Sequence, residues 1–248
     1  MPAPAHAQWV RRLRLAARPS LSPDLRRLLD HDSDEPQPAR DADCRALIDA
    51  FTDNAGHRRP VDRPLLSHLL RCAGGDMPAD PRPDELAWWC CHTRAAYHRL
   101  PIDWIADGRL FRDLGDDAIE TWTDAELSSL HALSWEGLRA RSPAILSRIT
   151  RAAEWLLAEV QPDNATERPW AVHFFAAMSL DAARTPESRA RADLYAQTLL
   201  NNALVGRERP DRFSACILWD AANWLESASR MTWQRTPPLL APLAPPSR

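Results

Sequence analysis

Proline follows directly on a hydroxyl side chain at Ser22-Pro23, Ser142-Pro143 and Thr185-Pro186, and a proline-free run opens behind each pair. Proline at the first helical position sacrifices no hydrogen bond, because that N–H has no intrahelical acceptor. The hydroxyl before it accepts from the free N–H groups of the first turn. Each pair is therefore a helix start. Arg82-Pro83-Asp84, Arg168-Pro169 and Arg209-Pro210-Asp211 read as further starts, and Thr123-Asp124-Ala125-Glu126 reads as a capping box. Between these marks Ala, Leu and Arg dominate, only five Val and seven Ile occur in 248 residues, and no alternating β-branched run appears. The expected fold class is all-α.

Helices are expected near 41–54, 62–73, 84–99, 124–140, 143–160, 169–183, 186–204 and 210–228, with Gly108 and Gly115 breaking the stretch between Leu100 and Trp122. Arg-Pro recurs at Arg168 and Arg209, and WAVHFFAAMSLDAA and DRFSACILWDAANW behind it both set large apolar and small residues on successive turns. That pattern suits a two-helix repeat of about forty residues. The architecture expected is one of stacked helical hairpins, forming an α/α superhelix or a partial toroid. Residues 1–40 are expected as a flexible Arg- and Pro-rich segment, 41–232 as a single helical domain, and 233–248 as a proline-rich disordered tail.

The formal charge of −3 and pI near 6.2 give no bias toward polyanions, although every basic residue is Arg. The local exception is Arg11, Arg12, Arg14 and Arg18, a basic strip suited to a partner groove more than to nucleic acid, and offset by the acidic DHDSDE that follows. The N-terminus makes a poor signal peptide, and no run of eighteen apolar residues exists to span a membrane. Five cysteines, Cys44, Cys72, Cys90, Cys91 and Cys216, show no paired spacing, which fits a reducing cytoplasm.

The densest chemistry lies in AWWCCHTRAAYH, from Ala87 to His98. On one continuous helix, Trp88, Cys91, Ala95 and His98 form a stripe, but Cys91 and His98 would then stand roughly 10 Å apart along the axis. That is too far for ligands of one zinc ion, so Trp88 and Cys91 are expected in the core. His68 and Cys72 are better spaced at i and i+4, yet two ligands do not make a site. Asp116-Asp117-Ala118-Ile119-Glu120 resembles the magnesium motif of class I terpene synthases, and also suits the first turn of a helix after Gly115. No metal or cofactor is expected. His92, His131 and His173 occur once each in successive segments, but at unequal helical depth, which argues against a three-histidine metal centre and leaves room for a shared pocket. Trp170 and His173 follow the longest loop of the hairpin region, less than one turn apart, and so can face one opening.

The segment RAAEWLLAEVQPDNATERPWAVHFFAAMSL, Arg151 to Leu180, places Gln161, Asp163, Asn164 and Trp170 between two helical stretches. It resembles the helical-hairpin unit of α/α-toroid proteins such as squalene cyclases and protein prenyltransferases. The acidic Asp-x-Asp-Asp motif of the cyclases is absent, the nearest string being Asp41-Ala42-Asp43-Cys44, so no catalytic residue is carried over. Trp170, His173, His131 and Asp163 are the candidate ligand-binding residues. The expected function is a non-catalytic helical-repeat binding or scaffolding module, with a protein partner or a small apolar ligand. The runner-up is a toroid-like enzyme whose aromatic cavity takes a terpenoid or prenyl-type ligand.

Overall fold

The computed structural model describes residues 4–29, 37–73, 75–100, 108–110, 119–162, 166–205 and 208–230. Every regular element among them is helical: α1 (Pro4–Ala17), α2 (Pro23–Leu29), α3 (Gln37–Ala50), α4 (Asp62–Leu70), α5 (Pro83–Cys90), α6 (Arg94–Arg99), α7 (Ile119–Ala140), α8 (Pro143–Glu159), α9 (Val172–Leu180), α10 (Pro186–Asn202) and α11 (Arg212–Arg230). No helix among the described residues is long and apolar enough to cross a membrane.

The local start signals operate as chemistry dictates. Ser22, Ser142 and Thr185 accept from the N–H groups of Leu25, Ile145 and Ser188, at 3.2, 3.4 and 3.2 Å, and α2, α8 and α10 begin at the prolines beside them. Asp211 caps α11 through the N–H groups of Phe213 and Ser214. Two expected signals give way to tertiary demands. Thr123-Asp124-Ala125-Glu126 is no capping box, because α7 already starts at Ile119: Thr123 Oγ1 bonds back to the Ile119 carbonyl, and buried Glu126 accepts from the Leu110 N–H. The helix expected over 84–99 breaks after Cys90, where the Cys91 and His92 N–H groups turn back to Trp88 and Trp89, so the stripe from Trp88 to His98 does not form.

Residues 4–29, expected as flexible, are helical and packed. Trp9, Leu13 and Ala17 give α1 a buried face against α11, and Arg14 lies 3.9 Å over the Trp219 ring while its guanidinium reaches Asn223 and Glu226. One arginine of the basic strip is thus an internal fastening. The linker around residues 30–36 and the tail from 231 lie outside the described residues.

The core sits around α9 and α11. Every residue from Val172 to Met178 is buried, and α11 packs against α1, α4, α7 and α9. A helix apolar all round, as α9 is, has to be enclosed, and α10, α11, α1 and α7 pack against it. Beside them, buried Arg148 on α8 donates to the carbonyls of Gly108 and Arg109. Gly108 has φ +107°, and a Cβ there would stand 2.9 Å from Trp155 Cβ. Gly108→Ala is therefore expected to cost about 2 kcal/mol or more, through left-handed strain and the clash together. A chemical-denaturation midpoint unchanged from wild type would refute this.

Candidate functional site

Three of the residues singled out in the sequence meet in the interior. His131 on α7, His173 on α9 and Trp170 just before α9 are each completely buried. The two imidazole rings are 4.2 Å apart, and His131 lies 5.8 Å from Trp170. Neither Trp170 nor His173, expected to face an opening, has exposed surface or lines the cleft described below, because α9 is packed against α1, α7, α10 and α11. Asp163 lies outside the described residues, as do Asp116 and Asp117; Glu120 is exposed on the first turn of α7.

The backbone settles how His131 is used. Ala171, in the left-handed conformation at φ 54°, aims its N–H at His131 Nδ1 (3.2 Å). A backbone N–H can only donate, so Nδ1 accepts and the ring proton sits on Nε2. Nε2–H then donates to Asp220 Oδ2 at 3.0 Å, and the Trp135 indole N–H donates to the same oxygen at 2.7 Å. Trp135 stands four residues beyond His131 on α7, so two donors one turn apart hold one carboxylate on α11. Burial disfavours the Asp220 charge, but the His131 bond, the neighbouring His68 and His131 rings and the Trp135 bond outweigh it and bring its pKa below the usual carboxylate value.

Asp220 Oδ1 points the other way, toward a cleft of about 970 Å³ between the C-terminal end of α4, the turn after α5, α7 and α11. His68 Nε2 lies 3.8 Å from this oxygen, and the His68 ring makes edge contact with Trp135 at 4.9 Å. His92 stands beyond His68 with ring centroids 6.2 Å apart, its Nε2–H donating to the Pro64 carbonyl at 2.8 Å. Burial carries His68 down to about 4, aided by His92, His131 and Arg139 and opposed by Asp220. His92 is lowered too, first by burial and then by Arg139, against the Pro64 bond. Both rings are consequently uncharged at neutral pH.

Cys91, expected in the core, is only half-buried and faces this cleft, its thiol 3.4 Å from the Ala132 carbonyl; Trp88, one turn earlier, is fully buried. The reason is the helix break after Cys90. Burial pushes the Cys91 thiol well up, and Cys72, also on the cleft, up to about 11. Neither is a thiolate at neutral pH, which makes both poor nucleophiles. Among the described residues no three His, Cys, Asp or Glu side chains are placed to share a metal ion.

No protein-family model, curated protein or solved structure matches this chain.

The site therefore rests on its own geometry: a charged floor, Asp220, between the indole of Trp135 and the imidazole of His68, in a cleft of small-molecule size. Sequence reasoning passed over Asp220. The signal available was a lone carboxylate inside the apolar stretch Ala215–Trp224, which must find donors wherever the helix packs. Arg139, one turn beyond Trp135, stands at the rim, already bonded to Glu136 and to the Cys90 carbonyl.

Proposed function

We propose that this protein is a non-catalytic binding module, built of stacked helical hairpins, whose cleft takes a small ligand with a polar head and an apolar body. The observation that carries this reading is the volume of about 970 Å³ floored by Asp220 and walled by Trp135, Trp89 and His68. Small-molecule sites combine aromatic walls with a few polar groups aimed at one point. The pairs α7–α8 and α9–α10 supply the hairpins, in keeping with the resemblance to α/α-toroid units. A wholly apolar prenyl chain fits less well, since it would leave a buried carboxylate without an answering group.

An enzymatic reading would use His68 and Asp220 as an imidazole–carboxylate pair. Burial works against it: an imidazole whose conjugate acid titrates near 4 is a weak base at neutral pH.

A small-molecule screen read through the Trp135 indole N–H resonance tests the proposal. Hits should shift that resonance and raise the melting temperature, by about 2.7 kcal/mol of stabilisation at a hundredfold excess over Kd. Ser227→Trp, which fills the cleft from α11, should abolish them. Hits that survive this substitution, or a screen without any, would overturn the assignment.

A further inference from the structure

The Asp220 carboxylate is satisfied on one side only. Both of its hydrogen bonds, from His131 and Trp135, go to Oδ2, and among the described residues no group donates to Oδ1. Asp220 is 1% exposed, yet it lines the cleft. A buried carboxylate keeps its charge at a large solvation cost unless a cation or strong donors answer it. The structure supplies donors to half of it and leaves the other half facing a cavity.

No arginine around the cleft is bonded to Asp220: Arg71, just past α4, is exposed at the cleft's edge, and the others are held by different partners. Arg14 is bonded to Asn223 and Glu226 and lies over Trp219; Arg139 is bonded to Glu136; Arg230 stands 3.8 Å from Glu226. The imidazole 3.8 Å from Oδ1, that of His68, makes no hydrogen bond among the described residues and carries no proton charge at neutral pH. Its ring and that of Trp135 stand edge to face beside the free oxygen. An anionic floor between aromatic walls is the environment in which a protonated amine gains both a charge-assisted hydrogen bond and cation–π attraction.

Resting on the reading of the cleft as a small-ligand site, we infer that the ligand is an organic ammonium, its N–H donating to Asp220 Oδ1 and its apolar body lying against Trp135 and His68. A neutral molecule of the same shape would leave the charge unanswered, and an anion would be repelled by it. Asn223, on the turn of α11 that follows Asp220, also lines the cleft and offers its amide to a polar substituent beyond the ammonium head.

Three probes of nearly equal shape decide the matter: 2-phenylethylammonium, 2-phenylethanol and 3-phenylpropanoate, titrated into the full chain at neutral pH. The ammonium is expected to bind roughly 10- to 100-fold more tightly than the alcohol, the range of one charge-assisted hydrogen bond, and to shift the Trp135 indole N–H. The anion should be weakest. In Asp220→Asn, which keeps the shape, ammonium and alcohol should bind alike; if that variant does not fold, the wild-type ranking decides alone. Equal binding of ammonium and alcohol, tighter binding of the anion, or ammonium binding that leaves Trp135 undisturbed would overturn the inference. Other compounds binding in the cleft while ammoniums do not would overturn the ligand class and leave the binding module standing, whereas no compound binding at all would overturn both.

Discussion

Trp88→Ala is expected to lower the stability of the protein by about 3–5 kcal/mol, a fall of roughly 10 °C in melting temperature for a chain of this size. The ring has no exposed surface and stands where three parts of the core meet, 5.3 Å from His131, 5.9 Å from Trp170 and 6.0 Å from His68. Its indole N–H donates to Ser128 Oγ at 3.1 Å, so truncation removes a large apolar surface and also strips a buried hydroxyl of its donor. Helices α5 and α7 are too closely packed here to collapse fully into the space, which adds a cavity cost to the lost transfer energy. Trp88→Phe retains most of the volume and gives up the hydrogen bond alone, so it should cost less than half as much. Equilibrium denaturation of the two variants measures both, and an alanine variant within 1 kcal/mol of wild type would refute the assignment of Trp88 to the core.

The neighbourhood of that ring shows what a sequence can and cannot disclose. The starts of α2, α8 and α10 were legible because a proline and its cap act within one turn, with no help from distant chain, and α5 begins at Pro83 on the proline alone, without a side-chain cap. The all-α class was legible because it follows from the scarcity of β-branched residues. The helix break after Cys90 was not: nothing in Trp89-Cys90-Cys91-His92 forbids a continuous helix, and the turn is closed by two backbone bonds back to Trp88 and Trp89. Helix α1 was missed for a different reason. A short Arg-rich amphipathic run is marginal alone, and its stability comes from Trp9, Leu13 and Ala17 meeting α11, some two hundred residues further along.

The site itself is the least local feature of all. Asp220 takes its donors from residues 85 and 89 positions away, and its free oxygen faces a histidine on α4. His131 and His173 stood among the candidate ligand-binding residues, and the structure brings their rings together in the interior. Periodicity marks the face a residue occupies. It does not tell which faces a later helix will cover, and α11 covers theirs. The carboxylate is the exception that sequence could have flagged, since a single Asp amid Ala, Ile, Leu and Trp is costly wherever it sits unless donors converge on it.

Unfolding at pH 6 should take up protons, and the protein should lose stability as the pH falls from 7 toward 5. The histidines set the sign. Burial lowers His68 to about 4; burial and the adjacent His131 lower His173 well below its ordinary value; His92 is lowered as well. In the unfolded chain each regains a pKa near 6.5. Between the folded and unfolded values the unfolded state binds more protons, so stability rises with pH through this window and is lost on acidification, by up to about 1.4 kcal/mol per pH unit for each histidine. Asp62 acts in the opposite sense: burial raises it to about 6, so between its unfolded value near 3.8 and 6 the folded state holds the extra proton, which blunts the loss below pH 6. Asp84 and Asp124, raised by burial as well, add to that blunting. Asp220 is lowered and therefore contributes only at still more acid pH, where stability is lost as it protonates. The histidine effect should thus stand out most clearly between pH 6 and 7. Denaturation midpoints across that interval, for wild type and for His173→Gln, give the proton count directly. The variant should take up roughly one proton fewer on unfolding at pH 6, whatever its absolute stability, because the slope counts protons and not contacts. An identical slope in both proteins would mean that His173 titrates in the folded state as it does in water, which a ring sealed between His131 and Trp224 cannot do.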